Sequence, residues 1–209
     1  MYVPKHFEET DPNILSDLMR AFSFALLVTA RDGSPVGTHV PLHLARNGTQ
    51  MTLLGHLARA NDHWKQFDGD TEALCVFQGP HAYISPNWYA SDGMVPTWNY
   101  AVIHAYGKPR AIEDAGEATD ILRRLVGDNE SDATGNWSIA KLPKQSVSAQ
   151  LKGIVAFEMV IERIEGKWKM GQNRAAEDAS GAANGLRAAN GPDAEAVAES
   201  METRINRPI

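Results

Sequence analysis

Between Gly55 and Tyr100 the chain concentrates side chains able to hold a flat, anionic ligand. GHLARANDHW, GPHAYISPNWY and VPTWNY follow one another there. The stretch holds three of the five tryptophans (Trp64, Trp88, Trp98) and three of the seven histidines (His56, His63, His81), with Arg59 and Asn61 spaced as Arg-x-Asn. Rings offer stacking faces, and the interleaved polar groups fix orientation. From Gly55 to Asn61 the pattern leaves a strand and enters a short helix. Backbone N–H groups at such an entry can meet an anion while Arg59 adds charge and a forked donor, so one monophosphate fits. The same residues also allow Arg59 as a solvated surface group and Asn61 as a helix cap. Pro96-Thr97-Trp98-Asn99-Tyr100 alternates polar Thr97 and Asn99 with rings along a strand, a pattern suited to holding the edge of a planar heterocycle. Core or dimer-interface packing is the other use of such rings. Lys169 to Arg174 (KMGQNR) adds two cations and two amides near the end of the last expected strand, where a solvated strand exit is the plainer reading.

Other chemistries find less support. His39 and His43 share a strand face but lie roughly 13 Å apart at ~3.3 Å per residue, too far for one ion, so no metal site is expected. Ser85 lacks a Gly-x-Ser-x-Gly elbow, and Cys75, within the apolar run Ala73 to Phe77, reads as an inert core thiol. Neither a Walker sequence nor a GxGxxG after a strand is present.

The elements that must position these residues follow from turn chemistry and periodicity. Asp11-Pro12 starts a helix with Ile14, Leu15, Leu18, Met19 and Phe22 at helical spacing. Phe24 to Ala30 and Val36 to Leu44 flank the turn Arg31-Asp32-Gly33-Ser34-Pro35. Asn47-Gly48 then leads to Gln50 to Leu54, giving three strands in a meander. Ala60 to Phe67 supports two helical turns and Glu72 to Gln78 a strand. Val95 to Ala111 forms a long strand entered through Pro96, with a bend at Gly107-Lys108-Pro109. Ala115 to Val126 is amphipathic through Ile121, Leu122 and Leu125, Gly127 to Pro143 is loop-like, and Gly153 to Ile164 is the last long strand, with a register change near its end. Beyond Arg174 the Ala-, Gly- and Asn-rich sequence allows two short helices around Gly191-Pro192 with little core. The expected fold is mainly β with peripheral helices, an antiparallel barrel over residues 1–174 followed by a helical arm over residues 175–209.

At 209 residues, with 43% hydrophobic and 22% charged side chains, one globular domain with an appendage is expected. Lys5, Glu8, Glu9 and Asp11 interrupt any signal-like apolar segment, so the expected location is cytoplasmic. The net charge of -6 argues against a protein whose main work is neutralising nucleic-acid phosphates. An anionic ligand needs a local basic pocket instead.

MYVPKHF at the start, THVPL from Thr38, GHLARAN, FQGPHAYISPNWY from Phe77, VPTWNYAVIHAYGK, LKGIVAF from Leu151 and KMGQNR, in that order, closely resemble the PaiB family of FMN-binding split-barrel proteins, described as negative transcriptional regulators. The family is similar to the pyridoxamine-phosphate-oxidase-like split barrels, which bind FMN at a homodimer interface. The resemblance implies FMN as cofactor, a homodimer, and a flavin phosphate held at His56, Arg59, Ala60 and Asn61. It further implies Thr38 near the ring system and Trp98, Asn99, Lys169, Gln172 and Asn173 reaching it from the partner subunit. Two positions depart from the pattern: Gly171 stands where Ser is expected, and Asp62, where Pro is usual, adds negative charge next to the phosphate site. Two functions are compatible with this reading. One is a flavin-dependent oxidoreductase-like protein or regulator acting on an unknown small molecule, with no catalytic acid or base assigned. The other is a transcriptional repressor without catalysis, for which the residues offer no helix-turn-helix signature or basic helix to bind DNA directly. Haem binding would need an axial ligand, which the sequence does not identify.

Overall fold

The computed structural model describes residues 1–31 and 33–205. In chain order its elements are β1 (Glu8–Glu9), α1 (Pro12–Ala21), β2 (Phe24–Arg31), β3 (Ser34–Pro41), β4 (His43–Asn47), β5 (Gln50–Ala58), β6 (Ala73–Ile84), β7 (Thr97–Gly107), β8 (Arg110–Ile112), α2 (Ala115–Asn129), α3 (Lys144–Leu151), β9 (Ile154–Lys169), α4 (Ala176–Ala189) and α5 (Ala194–Ile205). Hydrogen bonding orders the main strands β3-β2-β6-β7-β9-β5-β4, with β1 and β8 each pairing β9. Every pairing whose register is defined is antiparallel. The chain divides into two units: residues 16–77 with 104–164, and residues 1–15 with 78–103 and 165–209.

In the first unit, β2 and β3 form a hairpin from Phe24↔Pro41 to Arg31↔Ser34. Asp32, part of the expected turn, lies outside the described residues. The expected single strand from Val36 to Leu44 is instead two, and the three-strand meander does not form: β3 pairs β2 while β4 pairs β5. Pro41 has no N–H to continue a ladder. The next residue, Leu42, is 2% exposed and gives its N–H to Ser23 O at 2.9 Å, which turns the chain from one pairing to the other. A core of Leu54, Ile112, Ala118, Ile121, Leu125 and Ala156 seats α2 on these strands, and Leu151 of α3 packs against it. Asp114 caps α2 by accepting the Glu117 N–H at 2.9 Å. Helix α3 was not foreseen, because KQSVSAQL has almost no apolar periodicity, and its one large apolar anchor arrives only at Leu151.

The alternation in β6 buries Ala73, Cys75 and Phe77, and burial pushes the Cys75 thiol up to about 12, as expected of an inert core residue. Strand β6 continues past Gln78, its expected end, to Ile84, so GPHAYI is strand as well. The expected bend near Gly107 is a break: β7 ends there and β8 begins at Arg110. Strand β9 pairs β5 from Thr52↔Val160 to Ala58↔Ile154 and runs on to Lys169, beyond its expected end at Ile164.

In the second unit, α4 and α5 are full helices with more core than the sequence suggested. Ala179, Ala182, Ala183, Leu186, Val197, Ala198 and Met201 are all buried. Small side chains allow close helix approach, which is why an alanine-rich sequence poor in large hydrophobes still packs. Gly181 and Gly185 extend this: a Cβ on Gly185 would come within 2.2 Å of the Trp88 ring, and one on Gly181 within 2.2 Å of Trp88 O. Asp178, 3% exposed, accepts the Ser91 N–H at 2.8 Å and the Ser91 hydroxyl at 3.0 Å, and these bonds hold its carboxyl below the usual range. Arg204 and Glu9 form a buried ion pair at 2.6 Å that ties α5 to β1. At the front of the chain Asp11 caps α1 through the Asn13 N–H at 2.8 Å, and Leu15, Leu18 and Met19 are buried. Phe22, assigned to the helix's apolar face from its spacing, lies past the helix end and is 38% exposed. Among the described residues no helix is long and apolar enough to cross a membrane.

Candidate functional site

The candidate phosphate segment is organised differently from the sequence pattern. Strand β5 extends to Ala58, so Gly55 and His56 lie within the ladder, paired with Phe157 and Ala156. The chain turns at Arg59-Ala60, the Asn61 N–H bonding Ala58 O at 2.9 Å, and a single 3-10 turn follows over Asp62–Gln66 in place of two helical turns. Asn61 is its cap, the side-chain Oδ1 accepting the His63 N–H at 3.1 Å.

Arg59 is neither a loose surface residue nor a wholly available cation. Its Nε donates to Lys152 O at 2.9 Å and its Nη2 to Ile154 O at 2.7 Å, fixing the guanidinium against the start of β9. The Trp64 indole N–H bonds Arg59 O at 3.0 Å, and the guanidinium carbon lies 5.8 Å from the Trp64 ring centroid. The charge is therefore oriented, with Nη1 left for a further acceptor.

Thr38 and Asn61 are brought together around His63, which is 2% exposed. His63 Nε2 lies 2.8 Å from Thr29 Oγ1, and that hydroxyl donates to Gln66 Oε1 at 2.6 Å. A hydroxyl has one hydrogen, so Thr29 accepts from His63 and Nε2 carries the ring proton. Nδ1 is then an acceptor, filled by the Thr38 hydroxyl at 2.8 Å, and the Asn61 amide donates to Thr38 Oγ1 at 3.2 Å. Burial lowers the His63 pKa, which keeps the imidazole neutral as this chain of bonds requires. No sequence pattern gives Thr29, His63 or Gln66 this role, since the contacts join positions 25 to 37 residues apart.

His56 shows the opposite condition. Its Nδ1 is buried with no hydrogen-bond partner, and burial lowers its pKa. A buried nitrogen left without a partner costs about 1–3 kcal/mol.

The remaining expected contacts lie in the second unit. Lys169 Nζ donates to Trp98 O at 2.6 Å and also bonds Thr97 Oγ1. Burial, then the nearby Arg174 and Lys167 charges, lower the Lys169 pKa. Trp98 is 54% exposed while Asn99 is 2% exposed. Gln172 braces the end of β9: its Oε1 accepts the Met170 N–H at 2.7 Å and its Nε2 donates to Trp168 O at 2.7 Å. Gly171 has φ 79°, the left-handed region that a serine adopts only with strain, which explains this departure from the expected motif. Asn173 is exposed. Asp62 pairs with Lys65 at 2.7 Å, so much of the charge it adds near Asn61 is countered locally. His39 and His43 fall on different strands. His39 stacks on Phe24 with centroids 5.9 Å apart, and His43 Nδ1 meets Asp128 at 2.6 Å. Among the described residues no group of three or more His, Cys, Asp or Glu side chains could hold a metal ion.

The antiparallel order and the peripheral helices define the class, a flavin-type split barrel. The flavocytochrome Anf3 from Azotobacter vinelandii shares this fold at TM-score 0.59 and 14% identity, over 80% of this chain and 72% of that one. The FAD and haem binding protein from Mycobacterium smegmatis shares it at TM-score 0.57 and 15% identity, over 88% and 80%. The family follows from sequence. A family model described as "Putative FMN-binding domain" matches residues 1–163, and the chain belongs to that FMN-binding family, of the PaiB type. It is 35% identical over 212 residues to the protease synthase and sporulation protein PAI 2 of Bacillus subtilis, covering 100% of both chains. It is also 30% identical over 227 residues to protein AN0679 of Emericella nidulans, covering 89% of this chain and 90% of the other.

Proposed function

We propose that this protein is a homodimeric, cytoplasmic FMN-binding regulator or oxidoreductase-like protein whose flavin phosphate is held at the exit of β5. The observation that carries the reading is the unpaired, buried Nδ1 of His56, three residues before an arginine fixed by two carbonyls. Arg59 would meet the phosphate through Nη1, and Ala60 would leave room for its close approach. Asn61 would contribute the second hydrogen of its amide and His56 its unpaired nitrogen. Thr38, whose hydroxyl hydrogen is directed to His63, would offer a lone pair toward the ring edge. Trp98, Asn99, Lys169, Gln172 and Asn173 are assigned to the partner subunit's contribution, with Trp98 presenting an exposed ring face and Lys169 a partly desolvated cation. In this division residues 1–174 form the flavin barrel and residues 175–209 an arm. Bound FMN supplies redox chemistry through its ring, and the side chains named here bind and orient it.

Titration of apoprotein with FMN and with riboflavin tests the phosphate role. Wild type should prefer FMN by about tenfold or more, as one charge-assisted contact implies, and Arg59→Ala should remove most of that preference. An unchanged preference in the variant removes Arg59 from the site.

A second reading, a regulator without turnover, is the one the PaiB-family resemblance implies. With a net charge of -6, an effect through a metabolite or partner protein is physically easier than direct DNA binding.

A further inference from the structure

In the second unit a cavity of about 550 Å³ opens between the β6 and β7 segments and the turn joining α4 to α5. Its walls include Tyr83, Trp88, Trp98 and Leu186, with His81 and Asp193 as the ionisable groups. The volume lies in the range that encloses most of a small molecule, and the lining is predominantly apolar with a few convergent polar atoms. The flavin assignment uses one of its walls, Trp98, and none of the other lining residues.

Three observations specify a ligand. First, the rings are presented and held. Trp98 and Tyr83 are 54% and 46% exposed, with centroids 6.1 Å apart in an edge arrangement, and Trp88 is seated against Gly185, where no side chain would fit. Such faces stack on planar aromatics and attract cations. Second, no lysine or arginine lines the cavity, so nothing there compensates a phosphate or carboxylate. Third, the Asp193 carboxylate is fixed at the wall by the His81 backbone N–H at 3.1 Å, with the His81 ring Nδ1 at 3.3 Å. An ionised carboxylate only accepts, and two oxygens offer more positions than these contacts fill.

We propose that this cavity binds a planar aromatic molecule, uncharged or cationic, that carries an N–H or O–H donor for Asp193. The site is chemically distinct from the FMN site, since it selects against anions. Ligand binding there would couple the α4–α5 turn to the β6 and β7 segments, which gives a regulator a place to sense a small molecule.

Proflavine, a planar cationic aromatic amine, is a suitable probe, with anthracene-9-carboxylate as an anion of similar size. Fluorescence titration of the full chain should show saturable proflavine binding and rejection of the anion. Ala189→Phe, at an exposed helix end on the cavity wall, should weaken proflavine by about tenfold or more by filling the space. Asp193→Asn keeps the shape and should weaken proflavine by about fivefold while narrowing its preference over the anion. Both variants should keep wild-type circular dichroism and FMN affinity. Absence of saturable proflavine binding, equal binding of the anion, or indifference to both variants overturns the proposal. Loss of FMN affinity in either variant overturns it as well, since the cavity would then belong to the flavin site.

Discussion

His63 is buried and His56 half-buried, two imidazoles of one unit that differ in what surrounds them. His63 is satisfied on both ring nitrogens by threonine hydroxyls, and its protonation would turn the acceptor facing Thr38 into a second donor. Burial places its folded pKa below the ordinary imidazole value of 6.5. Between the lowered value and 6.5 the unfolded chain binds more protons than the folded one, so stability rises with pH in that window. This contribution is fully present above pH 6.5 and is lost as pH falls through the lowered value; His56 adds an effect of the same sign. Urea unfolding from pH 7.5 to pH 5 should therefore show His63→Gln less stable than wild type by about 1–3 kcal/mol at pH 7.5 but with a shallower decline toward acid. Parallel declines would mean that His63 is not the titrating group. The proposed phosphate contacts come from GHLARAN, since an Arg-x-Asn at a strand exit is a local pattern, and the strand exit itself lies at Ala58. The Thr29–His63–Thr38 bonding was not legible in the sequence, since it brings the 3-10 turn after β5 onto the β2–β3 hairpin, a contact made only in the tertiary fold.

Elements built on local signals matched expectation, and those set by tertiary packing did not. The Asp-Pro helix start and the β2–β3 hairpin follow from turn and cap chemistry within a few residues. The break between β3 and β4 turns on Pro41 and on Leu42 finding burial, and α3 on a single leucine meeting the α2 core. Helix α4 makes the same point: its glycines look like helix breakers in sequence, but Gly181 and Gly185 are the places where Trp88 and its carbonyl approach the helix. Gly185→Ala, which intrinsic helix propensity alone would favour, should instead destabilise the protein by about 1–3 kcal/mol, because a Cβ at 2.2 Å cannot be accommodated without moving the ring. Thermal unfolding of the variant measures this, and an increase in midpoint would contradict the packing. Arg204→Ala should also destabilise the protein, by about 1–3 kcal/mol, since the buried Glu9 carboxylate loses this ion pair while keeping the Asp11 N–H. The comparison of the two variants by chemical denaturation separates helix packing from the α5–β1 tie.

At the scale of the whole molecule, the acidic charge and the family define a flavin protein better than a nucleic-acid binder. A promoter fragment should show no salt-dependent shift at physiological ionic strength, and a shift that weakens with salt would reverse that judgement. The proposed partner contacts require two chains, so sedimentation should give a dimer, and Trp98→Ala should weaken FMN without disturbing the phosphate preference. The fold class and cofactor were readable from motif order along the chain. A homodimer is expected only through family resemblance, because no local residue pattern encodes it. The most direct test of a flavin bound at the β5 exit is a fluorescence titration of the full-length apoprotein with FMN. Saturation at one FMN per chain, with loss of affinity in Arg59→Ala, is the expected result; no quenching of flavin fluorescence at any protein concentration would contradict it.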